Sequence, residues 1–458
     1  MKPRWNSNPR FFYYGASLLS LLLLTPIRAS VGDGNLPPLN PTARFFINLL
    51  FVNSLLAYGG MLFGNGQENR PLTGRAWLVL AGIGVLLCMM PPVFSGDVHE
   101  YLMRGRILGV YHQNPYVHTA LEFPHDPFFP LSVWNKWPDD YGPSWTLVQW
   151  IAPTLFGFSY FSALFAQKLV VFVFLALSGW LFFKISRQVW PERAHWMTQA
   201  FLLNPNFLVH HLVDGHNDIA TIFYMLLAVF LLLRSKLWMS LSASTLAFLA
   251  KMSSVVLMPV IVIAWFRLKN VSSCPERVFL VLRAVACVLI VSAALYAPFW
   301  VGPQTLTILN VANGWFYTNS VPYAIYIFLG KMGLPVAAGL VENAFYVFFV
   351  LTAAGALLWL LLKKSFETKD IFRVLSFIFL VLYLSYSVPF YGSHLNWALP
   401  FIILSEFPLS KCLILLYTTA GLFAYFKRLS FLYLGAVALY FLFLTLYKRV
   451  GKPGILTK

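Results

Sequence analysis

The run YFSALFAQKLVVFVFLALSGWLFF, residues 160–183, decides the fold class, because its 24 residues hold one charged side chain, Lys168. An α-helix needs about 20 predominantly apolar residues to cross a bilayer. Similar runs recur along the chain, so the sequence predicts an all-α protein, a polytopic bundle of about 12–14 transmembrane helices. The predicted spans are 11–27, 45–64, 76–93, 160–183, 196–213, 219–233, 237–250, 254–266, 278–299, 337–362, 371–388, 394–407, 411–426 and 430–447.

The composition of the 458 residues excludes a soluble enzyme, a disordered chain and a DNA-binding module. Hydrophobic residues make up 59% and charged residues 11%, against about 25% charged residues in soluble domains. The net charge is +17, but the cations lie singly and in pairs between apolar runs, as the positive-inside rule produces. With the N-terminus in the cytoplasm, 22 of the 33 Lys and Arg residues fall on the cytoplasmic side. We therefore expect a multi-pass protein of the inner (cytoplasmic) membrane.

The cysteines and the N-terminus add little to this picture. The four cysteines contain no Cys-x-x-Cys pair, so we expect no disulfide framework and no thiol chemistry. The first apolar run could pass for a signal peptide. We expect an uncleaved first span instead, because the sequence that follows is again membrane-like.

The chain divides into five predicted parts. The segment SWTLVQWIAPTLFGF, residues 144–158, is broken by Pro153 and Gly157, which favours an interfacial or re-entrant helix. A full crossing there would place the later basic loops outside, against the positive-inside rule. The parts are N-terminal spans at 1–94, a large outer loop with the catalytic residues at 95–159, a bundle core with an outer hairpin at 160–300, an outer loop at 301–336 and C-terminal spans at 337–458.

Asp97 directly follows the third predicted span and precedes a predicted helix over about 98–111. The sequence Asp-Val-His-Glu puts Glu100 at the third helical position, which is a capping-box arrangement with Asp97 as the N-cap. Alternatively, the Asp97 carboxylate lies at the outer membrane surface and takes a proton from an acceptor hydroxyl, as a general base. The spacing alone leaves both interpretations open.

The same predicted helix carries further polar groups. Glu100 and Arg104 are four residues apart and can form an ion pair. The guanidinium groups of Arg104 and Arg106 suit phosphate because each can bond two oxygens, although an outer arginine can also anchor to lipid headgroups. Tyr101 adds a hydroxyl group.

A second polar constellation is HHLVDGHND, residues 210–218, in which Gly215 marks a turn between two short apolar runs. Ionisable groups at a membrane edge are costly and usually functional. His216, Asn217 and Asp218 indicate a substrate or sugar-hydroxyl site, and the alternative is a polar hairpin tip. A metal site is conceivable from these residue types, but the spacing of the ligands is not diagnostic.

Three further polar points lie at the predicted outer edge. Lys251 interrupts LSASTLAFLAKMSSVVLMPVIV and either snorkels to the surface or binds an anion. His394 lies in VPFYGSHLNWALPF, and the aromatic residues of NGWFYTNSVPY (313–323) could equally form an interface belt. The sequence has no GxxxxGK[ST] motif, so we expect no P-loop ATP binding. An activated substrate therefore comes from elsewhere, and a lipid-linked one arriving laterally fits best.

The chain resembles the GT-C superfamily of integral membrane glycosyltransferases, and within it the bacterial polyprenyl-phosphomannose-dependent α-mannosyltransferases. The resemblance covers roughly residues 75–270, with looser similarity in APFWVGP (297–303) and HLNWALP (394–400). The motifs that carry it are SGDVHEYLMRGRI (95–107), NPY (114–116), YGPSW (141–145), NPNFL (204–208) and DGHNDIA (214–220).

This resemblance implies a mechanism. An acid in the first large outer loop is the family's catalytic base, and Asp97 occupies that place. The implied reaction is an inverting single displacement that moves a sugar, mannose on this resemblance, from a polyprenyl-phosphate donor to a lipid or glycan acceptor outside the membrane. Arg104, Arg106 and Lys251 are candidates to hold the donor phosphate.

The remaining candidate residues would orient the sugar or the acceptor. They are Glu100, Tyr101, Tyr141, His216, Asn217, Asp218 and His394. Many relatives have a different pair at His99–Glu100, so the resemblance implies no second acid role for Glu100. Many enzymes that use lipid-phosphate sugars need no metal, so we expect no cofactor. The expected partners are the donor, the acceptor and membrane lipids, without nucleic acid.

Three other functions compete with this one. A lipid or sugar transporter would show inverted repeats, and the sequence shows no repeat. An O-antigen-ligase-like polymerase would not use polyprenyl-phosphomannose. A non-catalytic scaffold would tolerate the loss of Asp97 and of the Gly-His-Asn-Asp group.

Overall fold

The computed structural model describes residues 9–24, 41–63, 71–307, 320–334, 336–385, 392–406 and 410–423. Within these ranges the regular structure is helical and contains no β-strand, which confirms the all-α prediction. A π-helix, Leu208–Val213, and several short 3-10 turns join the α-helices. The α-helices are α1 Pro9–Ser20, α2 Pro41–Phe63, α3 Gly74–Met89, α4 Asp97–Gly109, α5 Pro143–Gln149, α6 Ile151–Leu155, α7 Tyr160–Val189, α8 Ala194–Leu202, α9 Pro205–Phe207, α10 Asp218–Leu233, α11 Leu237–Ala250, α12 Leu257–Leu268, α13 Cys274–Tyr296, α14 Val321–Lys331, α15 Ala338–Leu362, α16 Thr368–Ser385, α17 Leu399–Ser405 and α18 Ser410–Phe423.

Four of the described helices are long and apolar enough to cross a membrane, namely Pro41–Phe63, Tyr160–Val189, Cys274–Phe299 and Ala338–Leu362. Shorter apolar helices occupy Tyr14–Leu23, Gly74–Met89, Asp218–Leu233, Leu237–Ala250, Met252–Leu268 and Lys411–Phe423. The chain is therefore a membrane protein. The total of 12–14 crossings and the five parts of the chain stay predictions. The predicted span 430–447 and most of the segment 313–323 lie outside the described residues.

The interior of the bundle and its lipid-facing helices differ sharply in burial. Helix α10 packs against both α7 and α11, and Val171, Ala220 and Leu241 of these three helices have no exposed surface. In contrast, only 6% of the most apolar stretch is buried in the span that contains α13, and the same holds for α15. An apolar helix of this length that is exposed on nearly all sides belongs in hydrocarbon.

The segment predicted to be re-entrant forms two short helices, α5 and α6, of seven and five residues. Neither is long enough to cross a bilayer. Both pack against α4, and Gly105 and Gly109 allow the close approach. A Cβ atom at Gly105 would overlap the backbone of Gln149, and one at Gly109 would overlap the side chain of Thr154. This packing fixes the position of α4.

The predicted single helix over 196–213 is wrong. Helix α8 ends at Leu202, and a new helical segment begins at Pro205. Pro205 lacks the N–H that a continuous helix needs, and the Asn204 side chain instead accepts hydrogen bonds from the amides of Asn206 and Phe207. The chain then continues as the π-helix, a form that often marks functional sites.

Candidate functional site

Helix α4 places the Asp97 carboxylate at the start of the candidate site, but not as a helix cap. The N-cap is Gly96, and Asp97 is the first helical residue. The capping-box interpretation is therefore wrong. Glu100 does not reach back to the start of the helix, because its carboxylate accepts hydrogen bonds from the Ser132 hydroxyl and the Trp134 amide, both at 2.8 Å. The Asp97 side chain remains 29% exposed.

The hairpin at residues 214–218 brings His216 to Asp97. Asp214 accepts hydrogen bonds from the backbone amides of Val93 and Phe94 at 2.9 and 3.0 Å, which ties the hairpin to the segment that precedes α4. Gly215 makes the turn with a φ of 76°, in the left-handed region that favours glycine. His216 Nδ1 then lies 3.4 Å from Asp97 Oδ2. The two constellations singled out in the sequence are therefore adjacent.

Asp218 contacts Lys251 and Trp397, and His394 packs on Trp397. Lys251 Nζ and the indole Nε1 of Trp397 each lie 2.6 Å from Asp218 Oδ1. The Lys251 ammonium also lies 5.2 Å from the centre of the Trp397 ring, and the His394 ring stacks on that indole at 4.6 Å. The Lys251 side chain keeps 18% of its surface exposed, so an incoming anion can reach it.

A tyrosine pair closes another side of the cluster. Tyr101 donates a hydrogen bond to the Asn217 side-chain oxygen at 3.2 Å, and its hydroxyl lies 3.3 Å from that of Tyr141. The Tyr101 ring also packs edge-on against Trp145. The structure thus brings Tyr101, Tyr141 and Asn217 together.

Several polar atoms of this cluster are buried without a hydrogen-bond partner. They are both ring nitrogens of His216, Asp218 Oδ2 and Asn217 Nδ2. A buried polar group without a partner is costly. Native structures keep such groups mainly where a ligand, an ion or a water completes them. The cluster therefore resembles a binding site in which a ligand supplies the missing hydrogen-bond partners.

The arginine residues of α4 lie in a different environment. The predicted Glu100–Arg104 ion pair is wrong, because Arg104 instead pairs with Asp139 at 3.4 Å and with Asp140 at 2.5 Å. Asp139 also accepts hydrogen bonds from the side chains of Thr146 and Gln149. Burial raises the pKa of Asp139 to about 6, and Arg104 opposes that rise.

Arg106 does not share a face of α4 with Asp97. The two residues are nine positions apart, about two and a half helical turns, so their side chains leave opposite faces of α4. Arg106 Nε lies 2.7 Å from Asp126 Oδ2, and its guanidinium stacks on Phe128 at 4.5 Å. A phosphate-binding role for Arg106 stays a prediction, and this placement does not support it.

One part of the cluster has the composition of a metal site. His210, Asp214 and His216 each offer a ligand atom, and these atoms all lie within 4.8 Å of one another. All three residues are buried. The residue types were visible in the sequence, but the geometry was not, because the π-helix that contains His210 has no simple sequence signal.

Sequence reasoning did not single out Trp397, Asp139 or Asp126. Trp397 lies in the HLNWALP motif, whose loose resemblance to the family assigns no role to the tryptophan. The two aspartates stand in the long loop among other acids, and nothing in the local spacing tells which of them pair with the arginines of α4. These three residues acquire their partners only through long-range packing.

The comparisons with known proteins agree with the motifs. Residues 47–267 match the family model described as "Alpha-(1->6)-mannopyranosyltransferase, N-terminal domain". The predicted resemblance to mannosyltransferases is confirmed. The match includes Asp97, the hairpin at 214–218 and Lys251, whereas His394 and Trp397 lie beyond it.

Two curated relatives carry the name alpha-(1->6)-mannopyranosyltransferase A. The protein of Mycobacterium tuberculosis is 24% identical over 278 residues, 57% of this chain and 53% of the relative. The protein of Corynebacterium glutamicum is 24% identical over 238 residues, 50% of this chain and 47% of the relative. A probable alpha-(1->6)-mannopyranosyltransferase of Mycolicibacterium smegmatis is 31% identical over 140 residues, 29% of this chain and 24% of the relative. The chain thus spans about half the length, or less, of the relatives it matches.

Proposed function

We propose that this protein is a membrane glycosyltransferase that moves mannose from a polyprenyl-phosphate donor to a lipid or glycan acceptor. The observation that carries the proposal is that one atom, His216 Nδ1, lies 3.4 Å from Asp97 and 3.9 Å from Asp218, the carboxylate that pairs with Lys251. A partly exposed carboxylate and a reachable cation thus lie in one cluster. The relatives' names supply the sugar, and the cation supplies the reason for a phosphate-linked donor.

Asp97 is the general base in this proposal. Its carboxylate accepts the proton of the acceptor hydroxyl while the new glycosidic bond forms at the anomeric carbon and the bond to the donor phosphate breaks. His216 Nδ1, 3.4 Å from Asp97 Oδ2, orients the carboxylate. A single displacement by the acceptor inverts the configuration at the anomeric carbon.

Lys251 stabilises the departing phosphate. Negative charge grows on the phosphate as the bond breaks, and a fixed cation stabilises that charge most strongly in a site sheltered from water. Asp218 and Trp397 hold Lys251 in place. Lys251 is better placed than Arg104 to bind a phosphate. Arg104 pairs with two acids and is 6% exposed, whereas Lys251 pairs with one acid and is 18% exposed.

The remaining polar groups bind the sugar or the acceptor. The Asn217 amide nitrogen has no hydrogen-bond partner, and Tyr101 and Tyr141 present hydroxyl groups beside it. Sugar hydroxyls accept and donate hydrogen bonds, so they can complete these groups. We place the site on the outer side of the cytoplasmic membrane, in keeping with the 22 of 33 basic residues assigned to the opposite side.

A panel of labelled donors tests the proposal. The purified full chain in lipid is given polyprenyl-phosphate mannose, polyprenyl-phosphate glucose and a nucleotide-linked mannose, each with a membrane extract as the acceptor source. We expect consumption of the polyprenyl-phosphate mannose and transfer of its label. Use of the nucleotide sugar alone, or no transfer from any of the three, would contradict the proposal.

A further inference from the structure

His210, Asp214 and His216 form a buried group of three potential metal ligands. Of these, only His216 has a part in the proposed transfer reaction, through its contact with Asp97. The exposed fractions of the three residues are 0%, 0% and 2%. His210 Nδ1 and Asp214 Oδ2 are 3.8 Å apart, and the ligand atoms of all three residues lie within 4.8 Å of one another. The group is therefore compact enough for one ion to bridge it.

The hydrogen bonds around Asp214 point one of its oxygens into this group. Oδ1 accepts the amides of Val93 and Phe94, whereas Oδ2 is buried and has no hydrogen-bond partner. The neighbouring cation, Lys168, donates a hydrogen bond to the Met90 carbonyl. Asp214 Oδ2 thus lies near the two histidines without a hydrogen-bond partner of its own.

The histidines complete the picture of a ligand set. His210 Nε2 lies 3.4 Å from the Gly421 carbonyl. When this nitrogen donates to that carbonyl, Nδ1 presents a lone pair toward Asp214 Oδ2. A hydrogen bond from the second ring nitrogen to a backbone carbonyl is the usual way in which metal-binding histidines are oriented. His216 is buried with no hydrogen-bond partner on either nitrogen, so one of them can coordinate an ion.

We propose that His210, Asp214 and His216 bind one divalent transition-metal ion of the Zn²⁺ or Co²⁺ type. Two imidazole groups with one carboxylate suit such ions, whereas Mg²⁺ and Ca²⁺ prefer oxygen ligands. Ligand distances of about 2.0–2.2 Å require the side chains to close by roughly 0.5–1.5 Å around the ion. A cation there removes the repulsion between the acceptors that face one another.

The ion would act on the structure of the site rather than on the reacting bond. His216 belongs both to this group and to the contact with Asp97. Coordination would hold the His216 ring in place from the side of the metal. In known sites, a carboxylate that accepts a hydrogen bond from the other ring nitrogen also orients a metal-bound histidine, and Asp97 is the carboxylate next to His216. The inference does not rest on the proposed transferase function, because metal binding is measurable without any substrate.

Metal content and cobalt spectroscopy test the proposal on the full chain, purified without a histidine tag and treated with a chelator. We expect Zn²⁺ to bind at one ion per chain and to raise the thermal unfolding midpoint, and Co²⁺ to give a visible d–d absorption that Zn²⁺ displaces. His125, an exposed histidine of the long loop, provides the matched control. His125→Gln should bind Zn²⁺ as the unmodified chain does.

The variants Asp214→Asn and His210→Gln should lose affinity for Zn²⁺ by more than the roughly 10- to 100-fold that outer partners of a metal site contribute. If these variants fail to fold, the cobalt spectrum of the unmodified chain still decides the matter. No stoichiometric binding of Zn²⁺ or Co²⁺ and no change in the unfolding midpoint would overturn the proposal.

Discussion

The two ends of α4 carry ionic groups in opposite conditions. Toward its C-terminus, Arg104 and Arg106 each pair with a buried aspartate of the long loop. At its N-terminus, Asp97 is partly exposed and faces His216, whose ring nitrogens have no hydrogen-bond partner. The completed pairs hold the loop against the helix, whereas the incomplete cluster is left for a ligand to complete. The role of a charged residue on this helix therefore depends on whether the tertiary structure already supplies its partners.

The largest effect on catalysis is expected for Asp97→Asn. The substitution keeps the size of the side chain and removes a carboxylate that does not cap the helix, so the chain should fold. A general base contributes roughly 10²–10⁴-fold, and we expect the rate of mannose transfer to fall by at least about 100-fold.

Asp140→Asn is the matched control for Asp97→Asn. Asp140 is 43% exposed, and Arg104 keeps Asp139 as a partner when Asp140 is changed. This variant should retain most of the transfer rate. Equal losses for the two variants would mean that Asp97 is not distinguished from other acids of the loop.

The next largest effect is expected for the stability of Arg104→Gln. The change leaves Asp139 buried without its cation, and breaking a buried ion pair from one side costs about 3–5 kcal/mol. Thermal unfolding in detergent should show a clear drop in the midpoint. A variant of normal stability that no longer binds the donor would instead favour the phosphate-binding role predicted from the sequence.

Lys251→Gln is expected to weaken use of the charged donor. Loss of a charge-assisted hydrogen bond costs about 1.5–3 kcal/mol, which is roughly 10- to 150-fold in kcat/KM. Lys236→Gln is the matched control, because Lys236 is exposed in the turn that precedes α11. Unchanged kinetics for Lys251→Gln would show that this lysine does not bind the phosphate.

The smallest effect on transfer is expected for Arg106→Gln. Arg106 leaves the opposite face of α4 from Asp97, and Asp126 already neutralises it. We expect kcat/KM of the folded protein to stay within about threefold of the unmodified value. This change is smaller than the roughly tenfold or greater decrease expected when a charge-assisted hydrogen bond to the substrate is lost. A drop of tenfold or more, with the fold intact, would erase the contrast between the two ends of the helix.

The sequence predicted the fold class because hydropathy is a local property that each apolar run shows by itself. It also singled out Asp97, His216 and Asp218, since ionisable residues stand out at the ends of apolar runs. The helix break at Pro205 was not predicted, because hydropathy does not report on backbone hydrogen bonds. Pro205 in an apolar run was the available signal.

Pairings between distant residues could not be predicted from spacing. Glu100 and Arg104 have the spacing of a helical ion pair, but each finds a better placed partner in the loop. Likewise, Trp397 reaches Asp218 across 179 residues of sequence. Such choices depend on which groups the tertiary structure brings within bonding distance, and a local pattern does not encode that.

Single-turnover kinetics of Asp97→Asn test the central claim most directly. The variant and the unmodified chain are loaded with labelled polyprenyl-phosphate mannose, the bound label is measured, and acceptor is then added in excess. If Asp97 is the general base, both proteins bind the donor equally and the variant transfers the bound mannose at least about 100-fold more slowly. Transfer of the bound mannose at more than about a tenth of the unmodified rate would contradict the account, because that loss is too small for a general base.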